Sequence, residues 1–253
     1  MPKPILVANW KNAPGSLDGA RFLLKSLSKK KLLYKKTALF IAPPLTYLEV
    51  VGEKAHSFAQ LAVQDFFPKE KGRFTGSVTP EILKSFGVRL AILGHSERRA
   101  LGETALEVSE KARVALRAGI TPLICFGETT KDSEGEHFTF IQTELKTLLS
   151  GFKKPDLSKI MLAYEPAWAI GKSFKEAIEP QELSQNVLFI KKILSDLFDR
   201  KVANLVPILY GGSAEPANAG LLLRNSGISG LLVGHASLNA KSFEAMASAV
   251  LEK

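Results

Sequence analysis

Lys11, His95 and Glu165 are side chains of the right types, in the right surroundings, to do proton and charge chemistry at neutral pH. Each stands at the end of a short apolar run: Lys11 beyond Ile5-Leu6-Val7-Ala8, His95 beyond Leu90-Ala91-Ile92-Leu93, and Glu165 beyond Met161-Leu162-Ala163-Tyr164. A carboxylate emerging from a buried strand can act as a general base, or it can be a salt-bridged strand end. A histidine there can give or take a proton near neutral pH, or it can be a hydrogen-bonded structural ring. Lys11 can supply a fixed positive charge to an anionic substrate or be an exposed strand-end lysine. Asn9 can orient Lys11 or hydrogen-bond substrate, Glu97 can hold a nearby cation, and Arg98 and Arg99 read as solvated or interface ion pairs.

Late glycines form a second group. Gly211-Gly212-Ser213 and Gly234 can let backbone N–H groups approach a phosphate closely, or can simply make tight turns. The segment Pro166-Ala167-Trp168-Ala169-Ile170-Gly171 is apolar, Pro-anchored and Gly-ended, as a water-excluding lid or a packed loop would be. Cys125 ends another apolar run and reads as a buried structural thiol, while His56 and His137 read as exposed helical or loop residues. There is no H-E-x-x-H and no cysteine cluster, so no metal site is expected.

These residues need elements to position them. Further apolar runs are Ala38–Ala42, Leu61–Val63, Pro122–Cys125, Pro207–Tyr210 and Gly230–Val233. Near-continuous apolar runs suit parallel strands buried on both faces. Helical spacing appears between them at Leu17–Ser28, Ala105–Ala118, Gln181–Phe198 and Ser242–Leu251. Alternation of strand and helix over 253 residues predicts an α/β fold, a single (β/α)8 barrel spanning residues 1–253. A doubly wound open sheet shares the alternation, but no G-x-G-x-x-G follows the first run. In a barrel, active-site groups sit at the C-terminal strand ends, where the titratable residues cluster here.

Composition bounds the class. Hydrophobic residues make up 45% and charged residues 23%, an ordinary globular balance. One cysteine allows no intrachain disulfide, and the start MPKPILVANWKN meets lysine and tryptophan too soon for a signal peptide, so a cytoplasmic protein is expected. No apolar run approaches the ~18 residues of a spanning helix, and no membrane partner is expected. The net charge of +9 favours anionic ligands in general. Its densest run, Lys29–Lys36, reads as a solvated helix end and loop, and no nucleic-acid motif accompanies it.

Taken together, Asn9-Trp10-Lys11, Gly72-Arg73-Phe74-Thr75-Gly76, Gly94-His95-Ser96-Glu97-Arg98-Arg99, Cys125-Phe126-Gly127-Glu128, Ala163 to Gly171, Tyr210-Gly211-Gly212-Ser213 and Leu232-Val233-Gly234 resemble the triosephosphate isomerase family along nearly the whole chain. The resemblance implies interconversion of dihydroxyacetone phosphate and glyceraldehyde 3-phosphate in glycolysis and gluconeogenesis, without a cofactor. It implies Glu165 as base, His95 as electrophile and proton shuttle, Lys11 and Asn9 as stabilisers of the developing oxyanion, and Glu97 as support for Lys11. It assigns the phosphate to backbone N–H groups of Gly171, Ser213, Gly234 and His235, the lid to Pro166 through about Glu176, and a homodimer contact to Gly72–Gly76.

The chain also departs from the family's usual pattern. Asn12 directly follows Lys11, Ser77 stands where an acidic residue is usual, Lys172 to Glu176 lack the usual second glycine and small-residue hinge, and His235 replaces a second glycine. A non-catalytic phosphate-binding barrel and a phosphoribosyl-type isomerase are the competing readings. Lys11, His95 and Glu165 together argue against both.

Overall fold

The apolar runs become eight parallel strands that close on themselves in sequence order. They are β1 (Ile5–Asn9), β2 (Ala38–Ala42), β3 (Gln60–Val63), β4 (Leu90–Leu93), β5 (Thr121–Phe126), β6 (Met161–Tyr164), β7 (Ile208–Tyr210) and β8 (Gly230–Val233). The ring is sealed by β1 against β8, with Ile5 opposite Gly230 and Ala8 opposite Val233. The open-sheet alternative is thereby excluded. The computed structural model describes residues 2–69, 72–130, 135–169, 171 and 177–252.

Alternation along each strand sorts the side chains into two layers. Ile5, Val7, Phe40, Leu90, Ile92, Leu123, Cys125, Leu209 and Leu232 fill the inside of the barrel. Leu6, Ala8, Leu39, Ile41, Leu93, Ile124 and Leu231 face outward into the helical shell. This two-residue period also selects what reaches the mouth. Asn9 continues the inward series Ile5, Val7; Glu165 continues Met161, Ala163; Gly211 and Gly234 continue Leu209 and Leu232.

The helices follow local signals. Helix Leu17–Ser28 starts where the Ser16 hydroxyl accepts the Gly19 N–H at 3.1 Å. Helix Ala105–Ala118 is entered by a Thr104–Glu107 capping box and left through Gly119 in the left-handed region. Two predicted helices shift at their ends. Pro180 itself opens Pro180–Leu197, occupying the first turn where no N–H is needed. Asn239 caps Lys241 and Ser242, so the last helix is Ala240–Ala249. Within the lysine run, Lys31–Tyr34 forms a helical turn because Tyr34 is fully buried while the lysines are exposed. Among the described residues no helix is long and apolar enough to cross a membrane.

Candidate active site

Lys11 leaves β1 with φ at +52°, a left-handed conformation that a side-chain-bearing residue rarely adopts. Two neighbours hold it there. The Asn9 Oδ1 accepts the Lys11 N–H at 3.0 Å. Gln64, at the end of β3, donates from Nε2 to the carbonyls of Lys11 (2.8 Å) and Ala42 (2.9 Å). Lys11 Nζ then meets Glu97 Oε1 at 2.6 Å. Gly234, beyond β8, leaves room for this side chain: a Cβ there would lie 3.2 Å from Lys11 Cε.

His95 caps the short helix Ser96–Ala100, its Nδ1 accepting the Glu97 N–H at 3.2 Å. A ring nitrogen that accepts cannot carry a proton, so the proton resides on Nε2. That nitrogen faces Glu165 Oε1 at 3.7 Å, too long for a hydrogen bond. Both residues are buried.

Glu165 Oε2 accepts the Ser96 N–H at 3.1 Å, while Oε1 is buried with no hydrogen-bond partner among the described residues. A buried carboxylate oxygen without a donor is costly, and it is also a lone pair available to an incoming proton. Burial pushes the Glu165 carboxyl up; the His95 ring, the Ser96 N–H, the Cys125 thiol and Lys11 each pull it partly back. Glu165 is therefore expected to titrate above the ordinary glutamate value of ~4.3. Glu-labelled protein followed by carboxyl 13C NMR, assigned by difference from Glu165→Gln, measures this directly.

The backbone is shaped around the same carboxylate. A Cβ on Gly211 would sit 2.6 Å from Glu165 Cγ and 3.0 Å from Oε1. Gly211→Ala must displace the carboxylate, and a displacement near 1 Å lowers kcat by about 100-fold with KM little changed. Steady-state kinetics check this. Cys125 lies at the top of the barrel interior, fully buried and next to Glu165. Burial holds its thiol well above its ordinary range, with the Glu165 charge adding to the effect. That environment disfavours the thiolate a nucleophile needs.

A third carboxylate, Glu128, carries a network to which sequence reasoning gave no role. It accepts the Tyr164 O–H (3.0 and 3.1 Å) and the Trp168 Nε1–H (2.7 Å). Asn186 Nδ2 donates to the Tyr164 oxygen at 3.0 Å. The Glu128 carbonyl accepts the Ala167 N–H at 2.8 Å. This fastens the 3-10 turn Ala167–Ala169, directly after Glu165-Pro166, to the end of β5. The signal was present in the sequence: Glu128 follows a buried strand just as Glu165 does.

The expected phosphate-binding residues come from three loops. Ser213 donates from both N (3.2 Å) and Oγ (2.7 Å) to the Ala169 carbonyl. Gly234 precedes the 3-10 turn His235–Leu238, and His235 itself is exposed. Gly171 is exposed with φ at +72°. The remainder of the expected lid, Ile170 and residues 172–176 with their unusual hinge, lies outside the described residues.

Arg98 stays exposed in an ion pair, as expected, whereas Arg99 is partly buried in an internal one. Arg98 Nη2 meets Asp65 at 3.0 Å; Asp65 also pairs at 2.6 Å with buried Lys111, which in turn pairs with Glu103. Arg99 pairs with Glu144 in a largely buried contact. His56 is exposed at a helix end, as expected, while His137 is half-buried within helix Glu136–Leu148, its ring 4.0 Å from that of Phe138. Among the described residues no cluster of His, Cys, Asp or Glu could hold a metal ion.

Comparison with known proteins addresses the same barrel. A profile of the triosephosphate isomerase family matches residues 4–250. The chain is similar to triosephosphate isomerase of Geobacter metallireducens, 38% identical over 252 residues covering 97% of this chain and 98% of that protein. It is similar to that of Syntrophotalea carbinolica at 36% over 246 residues, 96% of each chain. It is also similar to that of Coprinopsis cinerea at 39% over 232 residues, 91% of each. A closed eight-stranded parallel barrel and matches of this length and identity lead to one conclusion: the chain belongs to the triosephosphate isomerase family.

Proposed function

We propose that this protein, a single barrel domain, interconverts dihydroxyacetone phosphate and D-glyceraldehyde 3-phosphate through an enediolate, as a cytoplasmic enzyme of glycolysis and gluconeogenesis. The observation carrying this reading is Glu165 Oε1, buried and without a hydrogen-bond partner among the described residues, 3.7 Å from His95 Nε2. Glu165 removes the proton from the carbon beside the carbonyl. The C–H electron pair becomes the enediolate double bond, and the carbonyl π pair moves to oxygen. His95 Nε2–H donates to that oxygen and then shuttles protons between the two oxygens. Lys11, supported by Glu97 and Asn9, stabilises the negative oxygen before it is protonated. Return of the proton to the neighbouring carbon completes the exchange, so no electron leaves the substrate.

The phosphate is held by N–H groups of Gly171, Ser213, Gly234 and His235. The Ser213 N–H already serves the Ala169 carbonyl, so phosphate arrival exchanges one acceptor for another and loosens the base of the lid. His235→Gly removes an exposed imidazole from this loop without touching Glu165. It is expected to change KM and inhibition by inorganic phosphate several-fold while kcat stays within about twofold. Equal losses in kcat and kcat/KM with unchanged inhibition would count against a phosphate role.

A homodimer is the proposed assembly. A cavity of about 830 Å3 beside Lys11 and Glu97 is lined by Asn12, Leu45, Ser77 and Leu101, and the half-exposed Phe74 packs on Phe67 at 4.6 Å between ring centroids. The loop Gly72–Gly76 of one protomer is proposed to enter this cavity of its partner, which puts Asn12 and Ser77 at the contact. Both parts are tested on one sample. A coupled assay with D-glyceraldehyde 3-phosphate is expected to show isomerisation, and light scattering twice the 27.6 kDa chain mass. Absence of isomerisation defeats the functional reading; activity at monomer mass defeats only the dimer.

A further inference from the structure

Two loops set the position of Glu165, and they are separated by a hollow. From one side, Ser96 at the start of helix Ser96–Ala100 donates its N–H to Glu165 Oε2 at 3.1 Å. From the other, Gly127 packs directly under the Glu165 backbone: a Cβ on Gly127 would lie 2.2 Å from the Glu165 carbonyl oxygen and 3.0 Å from Pro166 N. Between these walls lies a cavity of about 580 Å3, lined by Ser96, Arg99, Phe126, Gly127, Glu144 and Glu165, among others. Side-chain packing therefore does not fix the spacing of the walls on this side.

One residue bridges the gap. Glu144, on helix Glu136–Leu148, accepts the Gly127 N–H through Oε2 at 3.1 Å. Its Oε1 takes Arg99 Nη2, from the same short helix that carries Ser96. The contact is largely buried, with side-chain exposures of 10% for Glu144 and 22% for Arg99. Arg99 is anchored further by donating from Nη1 to the Glu103 carbonyl at 3.1 Å.

We propose that Glu144 is a positioning residue for the base: its two oxygens tie Gly127 to Arg99 and so hold the Ser96 N–H and the Gly127 backbone at the separation that places the Glu165 carboxylate. This rests on Glu165 being the base. A glutamine at 144 keeps the shape but has one acceptor oxygen, so it serves Gly127 or Arg99 and not both. An alanine serves neither.

The test compares Glu144→Gln and Glu144→Ala with the unaltered enzyme and with Glu165→Gln. The expected series is graded. Glu144→Gln loses roughly 3–10-fold in kcat and Glu144→Ala roughly 30–100-fold, both with KM within about threefold, the size of effect a misplaced base produces. The second readout is the Glu165 titration by carboxyl 13C NMR. Loss of the Ser96 N–H removes a donor that favours the carboxylate, so Glu165 titrates at higher pH in both variants. Mere destabilisation lowers the melting temperature without moving that titration. The proposal is overturned if kcat of both variants stays within twofold, or if kcat falls while the Glu165 titration stays in place. If Glu144→Ala does not fold, the isosteric Glu144→Gln decides on the same two readouts. Glu165→Gln separates the layers. If it keeps full activity, the base assignment fails and this proposal with it; if it is inactive while both Glu144 variants behave as wild type, only this proposal fails.

Discussion

Glu165→Gln lowers kcat by up to about 10^4-fold and leaves the barrel folded, the full size of effect attributed to a positioned general base. The amide is the same shape as the carboxylate, and its carbonyl can still accept the Ser96 N–H that Oε2 accepts at 3.1 Å. What it lacks is a basic lone pair at the Oε1 position, the buried oxygen without a partner among the described residues. Stability moves the other way. Burial raises the Glu165 carboxyl, so the native state binds that proton more tightly than the unfolded chain does. Native stability then falls as pH rises from the unfolded glutamate value to the raised folded one, and the deficit persists at neutral pH. Glutamine carries no such deficit, so the variant should melt at the same temperature or higher at neutral pH. Glu165→Asp keeps the base but shortens it by a methylene, and a misplacement near 1 Å is enough for about 100-fold. Steady-state kinetics with thermal melting read all of this. A kcat within tenfold of the unaltered enzyme in Glu165→Gln would remove Glu165 from the role of base.

The strands were legible because a parallel barrel buries both faces of each strand. Runs such as Leu90–Leu93 and Gly230–Val233 match the structure to the residue. The position of Glu165 was legible for a related reason, since the inward alternation Met161, Ala163, Glu165 carries a carboxylate to the mouth. Closure of the ring was not legible from periodicity, because the pairing of β1 with β8 joins residues more than two hundred positions apart. The supporting residues were hidden for the same cause. Asn186 reaches Tyr164 and Glu144 reaches Arg99 across the fold, and nothing in their local sequence distinguishes them from solvated polar residues; Gln64, which reaches Lys11, does follow a buried strand as Glu165 does, but its partner is 53 positions away. One helix start moved where a side chain captured backbone N–H groups, as Asn239 does two and three residues onward, and another where Pro180 itself fills the first turn. Arg98 and Arg99 show the limit of reading charge from sequence: adjacent and identical, they face different partners, Asp65 and Glu144.

Lys11→Met is expected to lower kcat/KM by about 10^2–10^3-fold, the effect of deleting one preorganised donor aimed at developing oxyanion charge. The backbone argues that the position exists for its side chain. A left-handed φ of +52° at a lysine is strained by about 1–3 kcal/mol, and both Asn9 and Gln64 hydrogen-bond its peptide groups to keep it there. Glycine would occupy that conformation more easily, yet a lysine stands there. The Lys11–Glu97 pair does not account for the arrangement as a stabilising contact. It is partly exposed, 32% and 58% at the two side chains, and such pairs contribute little after screening. The contact does fix where the ammonium sits, on the side where Gly234 leaves room for it. Methionine keeps the length and the apolar stem while removing the charge, so the fold should melt within a few degrees of the unaltered protein. Under the proposed role both kcat and KM should suffer, because one ammonium would serve the enediolate oxygen and the field felt by the phosphate. Lys11→Arg keeps the charge but presents a longer planar fork, and its activity should fall between the two. Full activity in Lys11→Met, or equal loss in the arginine and methionine variants, would show that charge at this position is not what the strained backbone delivers.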